Sequence, residues 1–146
     1  MNKILYTLGY EGRNLREFLS ILKSNNIHFL IDVRQIANSR KKGFSKSQLE
    51  KRLKRLDINY IHFRELGSSK ELRDYLKDTD DFDGFRIKYK TLIKDTKDKI
   101  NDLLKLIVKD YCCLLCYEKE ATKCHRSLIA DELVKEFKSD LNIINL

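Results

Sequence analysis

The chain has 146 residues, enough for one domain with one hydrophobic core and too few for two ordinary domains. Hydrophobic residues make up 42% and charged residues 36%, a composition that excludes an intrinsically disordered protein, so we expect one folded domain over residues 1–146. The formal net charge of +8 favours anionic partners, either nucleic acid or a small molecule that carries phosphate.

The apolar segments of the sequence indicate the cellular compartment. Residues 1–12 have neither an apolar run of signal-peptide length nor a cleavage site, and no apolar stretch approaches the ~20 residues that a membrane helix needs. We therefore expect a cytoplasmic protein that does not enter a membrane. Its four cysteines should be reduced thiols rather than a disulfide framework, with Cys112 and Cys113 as buried residues of a strand.

The chain begins with a strand–helix–strand pattern. The apolar run KILYTL at residues 3–8 stops at Gly9 and predicts a buried strand. Asn14 can cap a helix with one apolar face that ends near residue 25, and HFLIDV at residues 28–33 predicts a second strand. Such a unit predicts a parallel sheet.

The pattern then continues to the end of the chain. We expect a helix capped by Ser45, a strand at residues 59–63, two or three helices between residues 67 and 110, a strand at 111–117, a helix at 122–138 capped by Thr122, and a strand at 141–144. The predicted fold is α/β, with three layers and a mostly parallel sheet flanked by helices.

Polar side chains follow each of the first four predicted strands. In an open parallel sheet, ligands bind outside the carboxyl ends of the strands, so these side chains should share one edge, called the rim below. They are Tyr10, Glu11 and Arg13 after the first strand, Asp32 and Arg34 after the second, His62, Arg64 and Glu65 near the third, and Cys116, Glu118, Cys124, His125 and Arg126 after the fourth.

The segment KCHRS begins the last predicted helix. With Thr122 as the N-cap, the amides near Cys124 and His125 would point outward and form an anion-binding nest beside a solvent-facing Arg126. The same position would favour the thiolate form of Cys124. The alternative is structural: Cys124 packs under the helix and His125 binds a carbonyl group.

Two other interpretations of the cysteines fit less well. Cys116, Cys124 and His125 could ligate a metal ion with His62 or Glu118, but their spacing is not the paired pattern of structural zinc sites, so we expect no metal and no cofactor. A phosphate-cradling cysteine loop is also imperfect, because Thr122 stands where such a loop would need its arginine.

The end of the second strand leaves two roles open. Asp32 could orient a base or bind a ribose hydroxyl, or it could form a buried ion pair with a neighbouring arginine such as Arg34.

The loop SRKKGFSK at residues 39–46 is a candidate binding element. Basic side chains beside an aromatic ring suit phosphates and bases, and the alternative is a solvated basic loop. The residues concerned are Arg40, Lys41, Lys42, Gly43 and Phe44.

Five segments resemble the bacterial and archaeal family catalogued as domain of unknown function 488. They are YTLGYEGRNLREFL, LIDVRQIANSRKKGFSKSQL, YIHFRELGSSKELR, FRIKYKTLI and LLCYEKEATKCHRSLIADEL, in the family's order over nearly the whole chain. The resemblance implies a single α/β domain, and the family's name leaves its activity open. Its shared features fall on Tyr10, Glu11, Asp32, Arg34, Arg40, Gly43, Phe44, Cys116, Glu118, Cys124, His125 and Arg126.

The chain departs from the family's pattern in its loops. Ala37 and Arg64 stand where the family often has proline, and Ser68 stands where a second glycine follows ELG.

Two functions are compatible with these residues. The first is an enzyme whose rim site binds a phosphate-bearing substrate, a nucleotide or nucleic acid, with Cys116 or Cys124 as nucleophile and Glu118 or His125 as proton carrier. The second is a non-catalytic nucleic-acid-binding or accessory module, in which the rim holds phosphates and the cysteines do no chemistry.

Overall fold

Five parallel strands form one sheet in the computed structural model, which describes residues 2–137 and 140–146. The strands are β1 (Lys3–Gly9), β2 (Phe29–Asp32), β3 (Asn59–His62), β4 (Cys112–Cys116) and β5 (Leu141–Asn145). Their order is β3-β2-β4-β1-β5, and each neighbouring pair is parallel. This confirms the predicted α/β class and places the carboxyl ends of β1, β2 and β4 side by side.

Helices cover both faces of the sheet. On one face lie α1 (Leu15–Ser24) and α2 (Lys46–Lys54), and on the other lie α3 (Lys70–Thr79), α4 (Phe82–Ile93), α5 (Lys97–Lys109) and α6 (His125–Glu136). Within residues 2–137 and 140–146, none of the helices has the length and apolar character that crossing a lipid bilayer requires.

The side chains of β4 alternate between the two cores, as a strand with two covered faces requires. Cys112, Leu114 and Cys116 pack with the helices α3 to α6, whereas Cys113 and Leu115 pack with α1 and α2. All five are buried, so the fully apolar sequence CCLLC is explained by its central place in the sheet.

Most helix boundaries agree with the sequence prediction. The side chain of Asn14 accepts a hydrogen bond of 2.8 Å from the amide of Glu17 and caps α1. The segment 67–110 contains three helices, α3, α4 and α5, as predicted. Ser45 precedes α2 but does not cap it with its side chain, because its hydroxyl instead bonds to Asn38 and accepts from the amide of Ser39.

The predicted N-cap of the last helix is wrong by two residues. Residues Ala121–Lys123 form a 3-10 turn, and Cys124, in an extended conformation (φ −130°, ψ 145°), is the N-cap of α6 in place of Thr122. The expected end at Lys138 lies outside the described residues. Of the CHR segment, His125 and Arg126 are therefore the first two residues of α6, and all three side chains are buried.

Candidate functional site

A cavity of about 810 Å³ opens at the rim and is called the rim cavity below. Six candidate site residues from the sequence line it: Tyr10, Arg34, Cys116, Glu118 and His125 from the rim, and Arg40 from the basic loop. Seven lining residues were not anticipated: Gln35, Ile36, Asn38, Ser39, Ser68, Arg73 and Tyr117. The cavity therefore combines guanidinium, thiol, carboxylate and imidazole groups.

Cys116, Cys124 and His125 form a buried group, called the sulfur cluster below. Cys116 ends β4 and Cys124 precedes α6. Their two Sγ atoms lie in bonding contact with each other, and their Cα atoms are 7.7 Å apart. His125 Nδ1 lies 3.7 Å from Cys124 Sγ, and the three potential ligand atoms lie within 4.8 Å of one another. The sequence predicted four reduced thiols and did not predict that Cys116 and Cys124 meet, which they do because the loop after β4 turns back over the end of the strand. Cys112 and Cys113 are free and buried, as predicted.

The environment of His125 fixes its protonation state. A carbonyl oxygen only accepts hydrogen bonds, so Nε2 carries the proton that it donates to the oxygen of Val33 at 2.6 Å. Burial lowers the pKa of His125 to about 4, although the Val33 carbonyl acts in the opposite direction. The ring is therefore neutral near pH 7, and the unprotonated Nδ1 is the atom near Cys124.

Arg126 lies in the interior, so its predicted solvent-facing position is wrong. It is fully buried, and its Nη1 donates to Cys116 Sγ at 3.0 Å and to the carbonyl oxygen of Glu118, while Nη2 donates to the carbonyl oxygen of Lys119 at 3.1 Å. The Arg126 side chain therefore lies under the loop after β4. Its guanidinium is a brace for that loop, and burial lowers its pKa.

Glu118 lies in the braced loop, close to the sulfur cluster. Its Oε2 is 3.4 Å from Cys116 Sγ, and burial raises the pKa of the carboxyl group.

Gly9 makes this loop arrangement possible. A Cβ at Gly9 would stand 1.8 Å from the carbonyl oxygen of Glu118 and 3.0 Å from Nη1 of Arg126. The sequence marked Gly9 only as the end of a strand, although its place in the GYEG segment was a signal that backbone passes close to it.

We expect Gly9→Ala to destabilise the protein by about 3 kcal/mol, the upper end of the usual cost of overpacking, because a methyl group at this position overlaps the backbone of Glu118. Urea unfolding measures the change. The matched control is Gly12→Ala, where φ is +75° but a Cβ meets nothing within 4 Å, so that only conformational strain of about 1 kcal/mol applies. Equal losses for the two variants would contradict the close approach at Gly9.

Asp32 and Arg34 form a buried ion pair, which is the second of the two roles left open by the sequence. Nε and Nη2 of Arg34 donate to the two carboxylate oxygens at 2.9 and 2.7 Å, and the hydroxyl of Tyr60 also donates to Asp32. Burial works to lower the pKa of Arg34, but its bonds to Asp32 outweigh this and raise it. Nη1 of Arg34 donates to the carbonyl oxygen of Phe44 at 2.7 Å, so the pair also anchors the basic loop.

The aromatic ring of the basic loop is not available for stacking on a base. Phe44 is fully buried and stacks on Tyr10 with ring centroids 4.6 Å apart. Gly43 has φ +92°, and a Cβ there would lie 2.6 Å from Leu15 Cδ2, so Gly43 has a conformational role. Arg40 is exposed and lines the rim cavity, which makes it the residue of this loop best placed to bind a ligand.

Glu11, Arg13, His62, Arg64 and Glu65, which the sequence placed at the rim, do not line the cavity. Glu11 Oε1 accepts from the amide of Lys119 at 3.0 Å, and His62 Nε2 donates to the carbonyl oxygen of Arg34 at 2.6 Å. Arg13 is half-buried, and Arg64 and Glu65 are exposed on a 3-10 turn. The fold thus uses Glu11 and His62 to hold the loops that shape the cavity.

Arg73 is the most important residue that sequence reasoning missed. It projects from α3, is exposed, and donates from Nη1 to Gln35 Oε1 at 3.0 Å and to the carbonyl oxygen of Ser68. It lies in the segment YIHFRELGSSKELR, whose resemblance to a family was the available signal. Nothing in the local pattern of α3 indicates that this arginine reaches the rim.

The fold and the cavity together define a parallel α/β protein with a sulfur, imidazole and carboxylate cluster at the carboxyl edge of its sheet. The family model described as Domain of unknown function DUF488 matches residues 14–133, and the chain belongs to this family. No curated protein and no solved structure matches the chain.

Proposed function

We propose that the protein is an enzyme acting on a phosphate-bearing substrate, a nucleotide or nucleic acid, that binds in the rim cavity. The observation that supports this most is that exposed guanidinium groups and the chemically reactive groups line one cavity. They are Arg40 and Arg73 on the one hand and Cys116, Glu118 and His125 on the other.

The binding half of the proposal rests on the two exposed arginines. Arg40 comes from the loop after β2 and Arg73 from α3, so they approach the cavity from different elements. Arg73 makes both of its hydrogen bonds with Nη1, and a guanidinium carries three further N–H groups on Nε and Nη2. Guanidinium groups favour phosphate because their paired donors match its oxygens.

The reactive half of the proposal rests on the groups that reach the cavity wall. Of the two cysteines in the sulfur cluster, Cys116 lines the cavity. Its Sγ accepts from the buried guanidinium of Arg126 at 3.0 Å, and once the contact with Cys124 is reduced, a cation beside the sulfur favours the thiolate form. Glu118 also lines the cavity. Cys116 and Glu118 are therefore the groups through which the cluster meets a bound substrate.

We expect Arg40→Ala and Arg73→Ala each to weaken the binding of a fluorescently labelled oligonucleotide or nucleotide, measured by anisotropy across a salt series. Each lost phosphate contact should reduce the slope of log affinity against log salt by about 0.7–0.9. The control is Arg16→Ala, which removes the same charge from the exposed face of α1. Equal weakening by all three variants, or no binding at low salt, would contradict a phosphate site in the rim cavity.

A second candidate is a non-catalytic nucleic-acid-binding module, which the net charge of +8 and the exposed Arg40 and Lys42 also favour. Both candidates predict that Arg40→Ala and Arg73→Ala weaken binding. They differ in what happens to the bound ligand. An enzyme converts it, whereas a module releases it unchanged.

A further inference from the structure

The sulfur cluster brings together three groups that can ligate a metal ion, although Cys116 is separated along the chain from Cys124 and His125. Cys116, Cys124 and His125 place two sulfur atoms and one imidazole nitrogen within 4.8 Å of one another, and all three residues are buried. At metal–ligand distances of about 2.0–2.3 Å, neighbouring ligand atoms of a tetrahedral zinc ion stand about 3.5–3.8 Å apart. The 3.7 Å between Cys124 Sγ and His125 Nδ1 matches this separation.

Two of the three groups already have the hydrogen bonds that orient metal ligands. His125 donates from Nε2 to Val33, which leaves the lone pair of Nδ1 directed at the sulfur atoms. Such a bond from the distal nitrogen to a carbonyl group is typical of metal-bound histidine. Arg126 donates to Cys116 Sγ, which stabilises a sulfur ligand in its charged form.

The charges of the site also balance around a divalent ion. Two thiolates and the carboxylate of Glu118 carry three negative charges, and a divalent cation with the guanidinium of Arg126 supplies three positive charges. Without an ion, the two cysteines are neutral thiols and the carboxylate and guanidinium balance each other, so the exchange of two thiol protons for one divalent ion leaves the net charge of the site unchanged.

The backbone separation at the cluster favours an ion over a direct bridge. The Cα atoms of Cys116 and Cys124 are 7.7 Å apart, wider than the about 4.4–6.8 Å usual for a disulfide. In the reduced protein the two sulfur atoms are no longer bonded to each other, and an ion that binds between them requires them to move apart to the spacing of metal ligands.

We propose that the reduced protein binds one divalent metal ion of the zinc type through Cys116, Cys124 and His125. Binding displaces the two thiol protons, and sulfur and imidazole together select zinc-like ions over magnesium and calcium. Because Cys116, His125 and Glu118 line the rim cavity, the fourth coordination position opens into it, beside the carboxylate. A three-residue site with an open position is the arrangement of a catalytic rather than a structural zinc ion.

The test uses the full chain, reduced with a phosphine and kept free of oxygen. Competition with a chromophoric chelator measures zinc affinity and stoichiometry, and cobalt(II) absorption reports thiolate ligation. We expect one ion per chain and a sulfur-to-cobalt charge-transfer band. Removal of a residue that only orients a ligand lowers metal affinity by about 10–100-fold, and Cys124→Ser should lower zinc affinity by more than this. Glu118→Gln should retain the ion within about ten-fold.

Cys113→Ser is the matched control, because Cys113 is a buried free thiol on the opposite face of β4. It should retain full metal affinity. If Cys124→Ser fails to fold by circular dichroism, the cobalt spectrum of the unsubstituted protein still decides the matter. A spectrum without a thiolate band, zinc binding no tighter than millimolar, or equal loss in Cys113→Ser would overturn the proposal. None of these measurements involves a phosphate-bearing substrate, so their result is independent of the proposed function.

Discussion

Replacing Asp32 with alanine is expected to lower the free energy of unfolding by about 3–5 kcal/mol, because Arg34 would remain in the interior without its counter-charge. Asp32 is fully buried and accepts two hydrogen bonds from that guanidinium, at 2.9 and 2.7 Å. The hydroxyl of Tyr60 would lose its acceptor as well. Guanidinium chloride unfolding followed by circular dichroism measures the change.

The matched control for this substitution is Asp83→Ala. Asp83 also pairs with an arginine, Arg86, at 3.0 Å, but its side chain is 82% exposed. Exposed pairs contribute about 0–1 kcal/mol, so the control should lose little. A loss of less than about 1 kcal/mol in Asp32→Ala would show that the buried pair does not hold the basic loop in place.

Replacing Arg126 with alanine is expected to cost about 3–5 kcal/mol, for two reasons that act together. The substitution removes a large, fully buried side chain and leaves a cavity, and it removes the donors to Cys116, Glu118 and Lys119. Unfolding should be measured on reduced protein in the presence of a chelator, so that lost metal binding does not add to the difference.

Arg16→Ala provides the comparison for Arg126→Ala, since it removes an exposed guanidinium from α1. We expect it to change stability by no more than about 0.5 kcal/mol. If Arg126→Ala were equally mild, the guanidinium would not brace the loop after β4. The anion nest inferred from the sequence would then be the better description of this position.

The sequence predicted the architecture well because the signals for it are local. The apolar runs before Gly9 and around Leu114 are long enough to mark buried strands, and Asn14 caps α1 through its own side chain. Alternating strands and helices then leave few arrangements other than a parallel sheet.

The sequence was less successful with the site, because burial and contact there depend on residues far apart in the chain. Phe44 lies in a basic loop, but Tyr10 stacks on it and removes it from solvent. Arg126 faces inward, where it donates to Cys116 and to carbonyl groups of the loop after β4, and the local sequence does not show these contacts. The spacing of Cys116 and Cys124 along the chain does not show that the loop between them folds back and brings their sulfur atoms together.

The most direct test of the proposed enzyme is the fate of its ligand. The tightest-binding member of a panel of nucleotides and short oligonucleotides is incubated with zinc-supplied, reduced protein, and its mass is followed by mass spectrometry. We predict several turnovers by the unsubstituted protein and by Arg16→Ala, and none by Glu118→Gln, although that variant retains the ion. Recovery of the bound ligand unchanged from all three proteins would contradict the enzyme and support a binding module.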